Sequence, residues 1–244
     1  MKKILEIGKI EAGIFIDRPN RFIGNIQIGN EIVQCHIHDS GRIKELLYPG
    51  NTVGIKKVDK IGKRKTNWDL IYGMTQDGEK ILLNSAYHRY ISEYILKDKK
   101  ICPFGALDSL KAEVKNGDSR LDFLGVQDKK NIWIEVKGVS LVENNIAMFP
   151  DAPSERAQKH LVELMKLKEK GDRAAVLLLV FRSAIKFRPR FETDIKFTKL
   201  FYEALQKGVE VYLMPLCLKD NAIYYDNKKI DIIDKKLLTI WNKI

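Results

Sequence analysis

Asp122, Glu135 and Lys137 are the residues whose types and spacing could do chemistry. They fall in two β-prone runs, Ser119-Arg120-Leu121-Asp122-Phe123-Leu124-Gly125 and Ile132-Trp133-Ile134-Glu135-Val136-Lys137-Gly138. On a strand, side chains two apart share a face, so Glu135 and Lys137 project together while Ile134 and Val136 enter the core. The polar stretch Gln127-Asp128-Lys129-Lys130-Asn131 reads as a turn that folds the first run back along the second and brings Asp122 near Glu135. Two carboxylates that close repel, and a hard divalent cation with oxygen ligands is the usual way to keep both ionised. Mg2+, or Mn2+ in its place, suits a site with Asp122 and Glu135 as metal ligands. The cation would hold a phosphate oxygen and an attacking water, and Lys137 would orient or help deprotonate that water and offset the charge developing on phosphorus. Phosphodiester hydrolysis is the expected reaction.

Two further residues are expected to help. Gln158 lies on a predicted helix from about Ser154 to Lys170, where Leu161, Val162 and Met165 form the buried stripe and its amide emerges at the shoulder of the core. Glu113, on the preceding β-prone run, adds a carboxylate. Each has a plainer reading: a solvated β-edge with surface ion pairs for the triad, a helix-surface amide for Gln158, and a solvated strand position for Glu113. Cys35, His36, His38 and Asp39 have no second thiol or imidazole pair to complete a metal site and read as structural.

The elements that must position these groups fall into two parts. Up to about residue 84, short β-prone runs alternate with turn signals, and Gly41 to Leu47 reads as a short helix between the third and fourth barrel strands. That order predicts an all-β, OB-fold-like nucleic-acid-binding domain over residues 1–84, with an SH3-like barrel as the alternative. From Ser85 to Leu96 the apolar period becomes helical, with Ala86, Tyr90, Ile91, Tyr94 and Ile95 on one side. Three strands then precede a helix from Ser154, a buried strand at Ala174 to Val180, a helix from Thr193 to Gln206, a strand at Glu210 to Leu218 and a terminal helix from about Asp234. Residues 85–244 are therefore expected to form an α/β domain with a mixed central sheet and helices on both faces.

Charge nominates a partner. Lys and Arg outnumber Asp and Glu by 11, and the excess is spread over both parts, which suits a broad surface facing a polyanion. The basic run Lys56-Lys57-Val58-Asp59-Lys60-Ile61-Gly62-Lys63-Arg64-Lys65 precedes Trp68, so Lys56, Lys57, Lys60, Lys63, Arg64 and Lys65 are expected on phosphates and Trp68 on an unpaired base. Arg42 and Arg188 add to that DNA-binding set. DNA gripped through its backbone is the expected partner, with RNA a lower-ranked reading and a homodimer left open. A lysine-rich proteome or a solvated hairpin loop is the plainer account of the same charge. No apolar run approaches the roughly 18 residues of a membrane span, the N-terminus lacks a secretory pattern, and three scattered cysteines suit a reducing compartment, so no membrane contact and a cytoplasmic location are expected.

Asp122, twelve intervening residues, then Glu135-x-Lys137 resembles the PD-(D/E)xK signature of restriction-endonuclease-like folds. A closer resemblance rests on Ser119-Arg120-Leu121-Asp122-Phe123, Ile134-Glu135-Val136-Lys137-Gly138-Val139-Ser140-Leu141 and Phe149-Pro150-Asp151-Ala152-Pro153-Ser154-Glu155-Arg156-Ala157-Gln158-Lys159-His160-Leu161. These look like successive motifs of the sugar fermentation stimulation protein A family, and Gly41-Arg42, Asn84 and Phe187-Arg188-Pro189 extend the likeness over nearly the whole chain. The resemblance implies an OB-like domain followed by a PD-(D/E)xK-like domain, sequence-nonspecific DNA binding, and a regulatory role in sugar (maltose) metabolism. It maps the metal site to Asp122, Glu135 and Lys137, with Glu113 and Gln158 as helpers. A non-catalytic DNA-binding regulatory factor, with the acidic triad inherited but silent, is the alternative.

Overall fold

A computed structural model gives the fold, and the structure describes residues 1–39, 41, 43–58, 66–117 and 119–237. Contacts divide the chain into two units, Met1–Tyr87 with Leu216–Asp226, and His88–Pro215 with Asn227–Ile244. The first unit thus takes back a late segment that the sequence reading assigns to the second domain.

In the first unit the strands are β1 (Lys2–Glu6), β2 (Glu11–Asn20), β3 (Ile23–Ile28), β4 (Glu31–His36), β5 (Thr52–Lys57), β6 (Trp68–Met74) and β7 (Lys80–Leu82). β2 to β7 pair in the order β4-β3-β2-β5-β6-β7, and a parallel pairing of Cys35 with Trp68 and His36 with Asp69 joins β4 to β6 and closes a five-stranded barrel. Alternation explains the closure: Phe15, Ile26, Cys35, Val53, Ile55 and Leu70 are buried in the interior. Where the sequence reading expects a helix at Gly41 to Leu47, the described residues form a turn, with Leu46 and Leu47 donating to the Ile43 carbonyl. Pro49 disfavours helical backbone at Tyr48 and so stops the turn there.

The second unit receives α1 (Ala86–Lys97) from His88 onward and contains β8 (Ser109–Asn116), β9 (Ser119–Gln127), β10 (Lys130–Val139), β11 (Leu141–Glu143), β12 (Ile146–Phe149), α2 (Glu155–Glu169), β13 (Arg173–Val180), β14 (Lys186–Pro189), α3 (Ile195–Gln206) and β15 (Glu210–Lys219) up to Pro215. β16 (Ala222–Tyr225) belongs to the first unit, where it pairs with β1 and with the end of β15. β17 (Asp231–Ile232) and a short 3-10 turn, Lys235–Leu237, end the described chain, so most of the expected terminal helix lies outside the described residues.

The central sheet of this unit runs β15-β13-β10-β9-β8, parallel over β15, β13 and β10 and antiparallel thereafter. It is the mixed sheet of an α/β domain. A small second sheet runs β11-β12-β14-β17. Trp133, Val139, Val176 and Leu178 from one face of the sheet pack with Leu164 of α2 and Phe201 of α3 in one cluster. The expected turn between β9 and β10 is tighter than the sequence suggested. Asp128 and Lys129 both have positive φ and form the two-residue loop that matches the twist of paired strands.

The apolar face of α1 is rotated from the one read in the sequence. Ile91, Ser92, Ile95 and Leu96 are buried, whereas Tyr90 is 57% and Tyr94 38% exposed. Tyrosine counts as apolar in a periodicity reading, yet its hydroxyl and its bulk suit a half-wet position.

Candidate active site

Asp122, Glu135 and Lys137 come together on neighbouring strands. The ladder between β9 and β10 pairs Phe123 with Ile134, which carries Asp122 to the position across from Glu135. There the Asp122 side chain takes over from the ladder: its Oδ2 accepts the Val136 N–H at 2.7 Å. Glu135 and Lys137 share a face, as two-residue spacing dictates, and the Lys137 ammonium donates to Glu135 Oε1.

That face is not open. Trp133 and Val139 lie on the same side of β10 and sit in the core cluster beneath α2 and α3, and Glu135 itself is only 2% exposed. The expectation that Ile134 and Val136 face the core while the acid faces solvent therefore needs correction. Helices cover the acidic side, and the opposite side of the sheet, with Phe123, Ile132 and Ile134, is buried too. A carboxylate so enclosed is costly unless it is paired.

His160 supplies part of that pairing. On α2 the buried residues are Ala157, His160, Leu161, Leu164, Met165 and Leu167, a stripe at helical spacing, with Val162 half-buried beside it. The His160 ring, 5% exposed, places Nδ1 against Glu135 Oε1, and Lys137 Nζ lies 3.3 Å from the same nitrogen. Sequence reasoning missed this residue. The signal was a lone imidazole three residues after Ala157 and four before Leu164, where an apolar side chain is otherwise expected.

A second unforeseen histidine closes the other side. His88 of α1 stacks on Phe181 with centroids 5.1 Å apart, and its ring occupies the space above Gly138. Burial, and then the positive charge of Lys137, push its pKa down to about 4, so the ring is neutral near pH 7.

The two acids are driven apart in acidity. Burial chiefly, then the neighbouring Glu135 carboxylate, raise Asp122 to about 6 against the opposing Val136 N–H and Lys137. Burial also works against ionised Glu135, but the His160 hydrogen bond and the Lys137 charge outweigh it and hold Glu135 below the usual carboxylate range. Glu135 Oε2 is buried with no hydrogen-bond partner. An anion short of one partner, next to a second acid that ionises reluctantly, has the donor chemistry for a hard cation. Among the described residues no group of three or more His, Cys, Asp or Glu side chains is placed to hold a metal. Asp122 and Glu135 are the two neighbouring side chains that could hold a cation through oxygen, a donor set that would suit Mg2+ better than zinc.

The remaining expected residues lie as follows. Glu113 sits across β8 from Asp122 with positive φ, is exposed, and has Arg120 Nη1 at 3.5 Å, while its charge helps raise Asp122. Gln158 points elsewhere. Its amide donates to both oxygens of Asp194, at 3.0 and 2.9 Å, and Asp194 caps α3. In the first unit the Lys56 ammonium donates to the Ile7 carbonyl at 2.6 Å, and exposed Lys57 stands 5.9 Å from the centre of the half-buried Trp68 ring. Arg188 makes two hydrogen bonds to Glu192 and lies over the Phe191 ring. Arg42, Lys60, Lys63, Arg64 and Lys65 lie outside the described residues. Among the described residues no helix is long and apolar enough to cross a membrane.

Comparison with known proteins adds the following. The family model for the sugar fermentation stimulation protein RE domain matches residues 86–222, and that for the SfsA N-terminal OB domain matches residues 16–83. The chain is 41% identical over 233 residues to the sugar fermentation stimulation protein homolog of Thermosipho melanesiensis, covering 96% of this chain and 99% of that one. To the homolog of Methanococcoides burtonii it is 38% identical, over 88% of this chain and 89% of the other. The solved structure of Pyrococcus furiosus SfsA in complex with Ca2+ superposes with a TM-score of 0.86 at 30% identity, covering 96% of this chain and all of that one.

Proposed function

The chain belongs to the sugar fermentation stimulation protein family, and on that premise we propose that it is a sequence-nonspecific DNA-binding protein whose Asp122, Glu135 and Lys137 form a divalent-cation-dependent site for phosphodiester hydrolysis. The observation that carries the reading is the buried, unpartnered Oε2 of Glu135 beside the reluctant acid Asp122. Binding of Ca2+ by the Pyrococcus furiosus relative supports a hard-cation site.

Asp122 and Glu135 would hold Mg2+ or Mn2+. When bound, the cation would polarise a phosphate oxygen and acidify a water. Asp122 is tied to the Val136 N–H through Oδ2, and its other oxygen would be the one to meet the cation. Lys137, already beside Glu135, is placed to orient the attacking water and to offset charge on the scissile phosphate. The basic excess of the chain, with Lys57 and Trp68 on the OB domain, would supply backbone contact and base stacking.

The test incubates the purified chain with single-stranded, double-stranded and branched DNA plus Mg2+ or Mn2+. Cutting should need the cation and disappear in Asp122→Asn and Lys137→Ala; cleavage surviving equally in both variants removes the assigned roles. Affinity for DNA should fall steeply between about 50 and 200 mM salt, and a flat response would end the phosphate-driven account. One observation favours the regulatory alternative, a DNA-binding factor of sugar metabolism with a silent site. The Lys137 amine is taken up by Glu135 and is not free to act as a base. That reading expects salt-dependent binding without cation-dependent cutting.

A further inference from the structure

We propose that His160 is a positioning residue for the cation site, holding Glu135 by one carboxylate oxygen so that the other is the oxygen presented to the cation. The inference rests on the cation-site reading above and concerns a residue that neither the acidic pair nor the lysine requires.

The geometry divides the two oxygens of Glu135 sharply. Oε1 receives the Lys137 ammonium and the Nδ1 edge of His160, while Oε2 is buried and receives nothing. Lys137 has only protons to give, and so does whichever imidazole nitrogen faces a carboxylate at contact distance. Nδ1 therefore carries a hydrogen and donates it to Oε1. The 3.3 Å approach of Lys137 Nζ to that nitrogen is then a contact between two donors that share one acceptor.

His160 contributes what Lys137 cannot. A lysine on the same strand as Glu135 has four rotatable bonds and follows the carboxylate wherever it turns. His160 comes from another element and is held by the core: its neighbours on the α2 stripe, Ala157, Leu161 and Leu164, are all nearly inaccessible. A donor fixed to a helix and aimed at one oxygen sets the plane of the carboxylate. Burying an imidazole on an apolar stripe also costs free energy that a leucine would not, so the residue needs a partner, and Glu135 is the one it meets. Hydrogen-bonded partners of metal ligands act in this way, and their loss weakens metal affinity by about 10–100-fold.

The experiment is calorimetric titration of the full chain with Mn2+ and with Ca2+, comparing wild type, Glu135→Gln, His160→Leu, His160→Gln and His160→Asn. An asparagine amide nitrogen falls near the position of Nδ1, whereas a glutamine amide reaches towards Nε2. Affinity should drop about 10–100-fold in His160→Leu and His160→Gln and return in large part in His160→Asn. Equal affinity in wild type and His160→Leu, or no recovery in His160→Asn, overturns the positioning role while leaving the cation site standing. Absence of binding in wild type, or binding that ignores Glu135→Gln, removes the site and this inference with it. Should the variants fail to fold, a long-range proton–nitrogen NMR correlation on the unaltered protein decides the point: Nδ1 must be protonated, and an imidazole carrying hydrogen on Nε2 alone defeats the proposal.

Discussion

Gly138 and His88 meet with no room for a side chain between them: a Cβ on Gly138 would lie 2.3 Å from His88 Cε1 and 2.9 Å from Nε2. The glycine that ends the Glu-Val-Lys-Gly run thus serves packing, leaving room for the imidazole against the strand. Gly138→Ala should cost about 1–3 kcal/mol by overpacking, and the cost should shrink in a His88→Ala background. Denaturant unfolding of the four members of that double-mutant cycle measures the coupling; additive losses would mean that the two residues do not clash.

His88 also predicts an acid response. Its folded pKa of about 4 lies below the ordinary 6.5 for a histidine, so folding favours the neutral ring. The stability this contributes is complete above pH 6.5 and is lost as pH falls through 4, amounting to about 3 kcal/mol at full protonation. His88→Phe keeps a flat ring against Phe181 and cannot take up a proton. Its stability, followed by urea unfolding, should fall less than that of wild type between pH 6.5 and 4, and parallel curves would exclude the assignment.

Asp122 has the opposite sign. Its pKa rises from 3.8 to about 6 on folding, so its contribution is fully present below pH 3.8 and is lost as pH rises through 6. Above that, ionised Asp122 costs the fold up to about 3 kcal/mol. Asp122→Asn retains an acceptor for the Val136 N–H and sheds the charge. It should be the more stable protein at pH 8 and no more stable than wild type below pH 4. Added Mn2+ should stabilise wild type and leave the variant unmoved in thermal unfolding. A variant less stable than wild type at pH 8 would contradict the electrostatic strain assigned to this acid.

The legible parts of this molecule are those set by short-range rules. Period-two alternation placed Asp122, Glu135 and Lys137 on paired strands, and Ser154 announced the start of α2, where its hydroxyl accepts the Ala157 N–H. What covers the triad was illegible because it depends on which helix lands on which face. Nothing local to His88 or His160 says that α1 brings one ring over Gly138 or that α2 brings the other onto Glu135. The hairpins at Asn144-Asn145 and Asp220-Asn221 were missed as well. Their positive-φ pairs use residues that tolerate that region, but β11, β12 and β16, which they join or lead into, are too short to show a period.

Gln158 is the residue on which the sequence and the structure point in different directions, and stability separates the two. Its amide donates to both oxygens of Asp194, which is 5% exposed and also accepts the Ser154 N–H at 3.0 Å and the Phe197 N–H at 2.8 Å. One carboxylate thereby caps α3 and fastens the start of α2, the helix that carries His160. Its three donors outweigh burial and keep its pKa below the ordinary aspartate range. Gln158→Ala removes one of these three donors and should cost about 1 kcal/mol, whereas Asp194→Ala strips the cap and leaves several N–H groups short of a partner, for about 3 kcal/mol. Because Gln158 spends its donor on Asp194, its alanine variant should bind Mn2+ as wild type does. Calorimetric titration alongside chemical unfolding reads both quantities. Cation affinity lost from a Gln158→Ala protein of unchanged stability would return the glutamine to the acidic site, as the family resemblance implies.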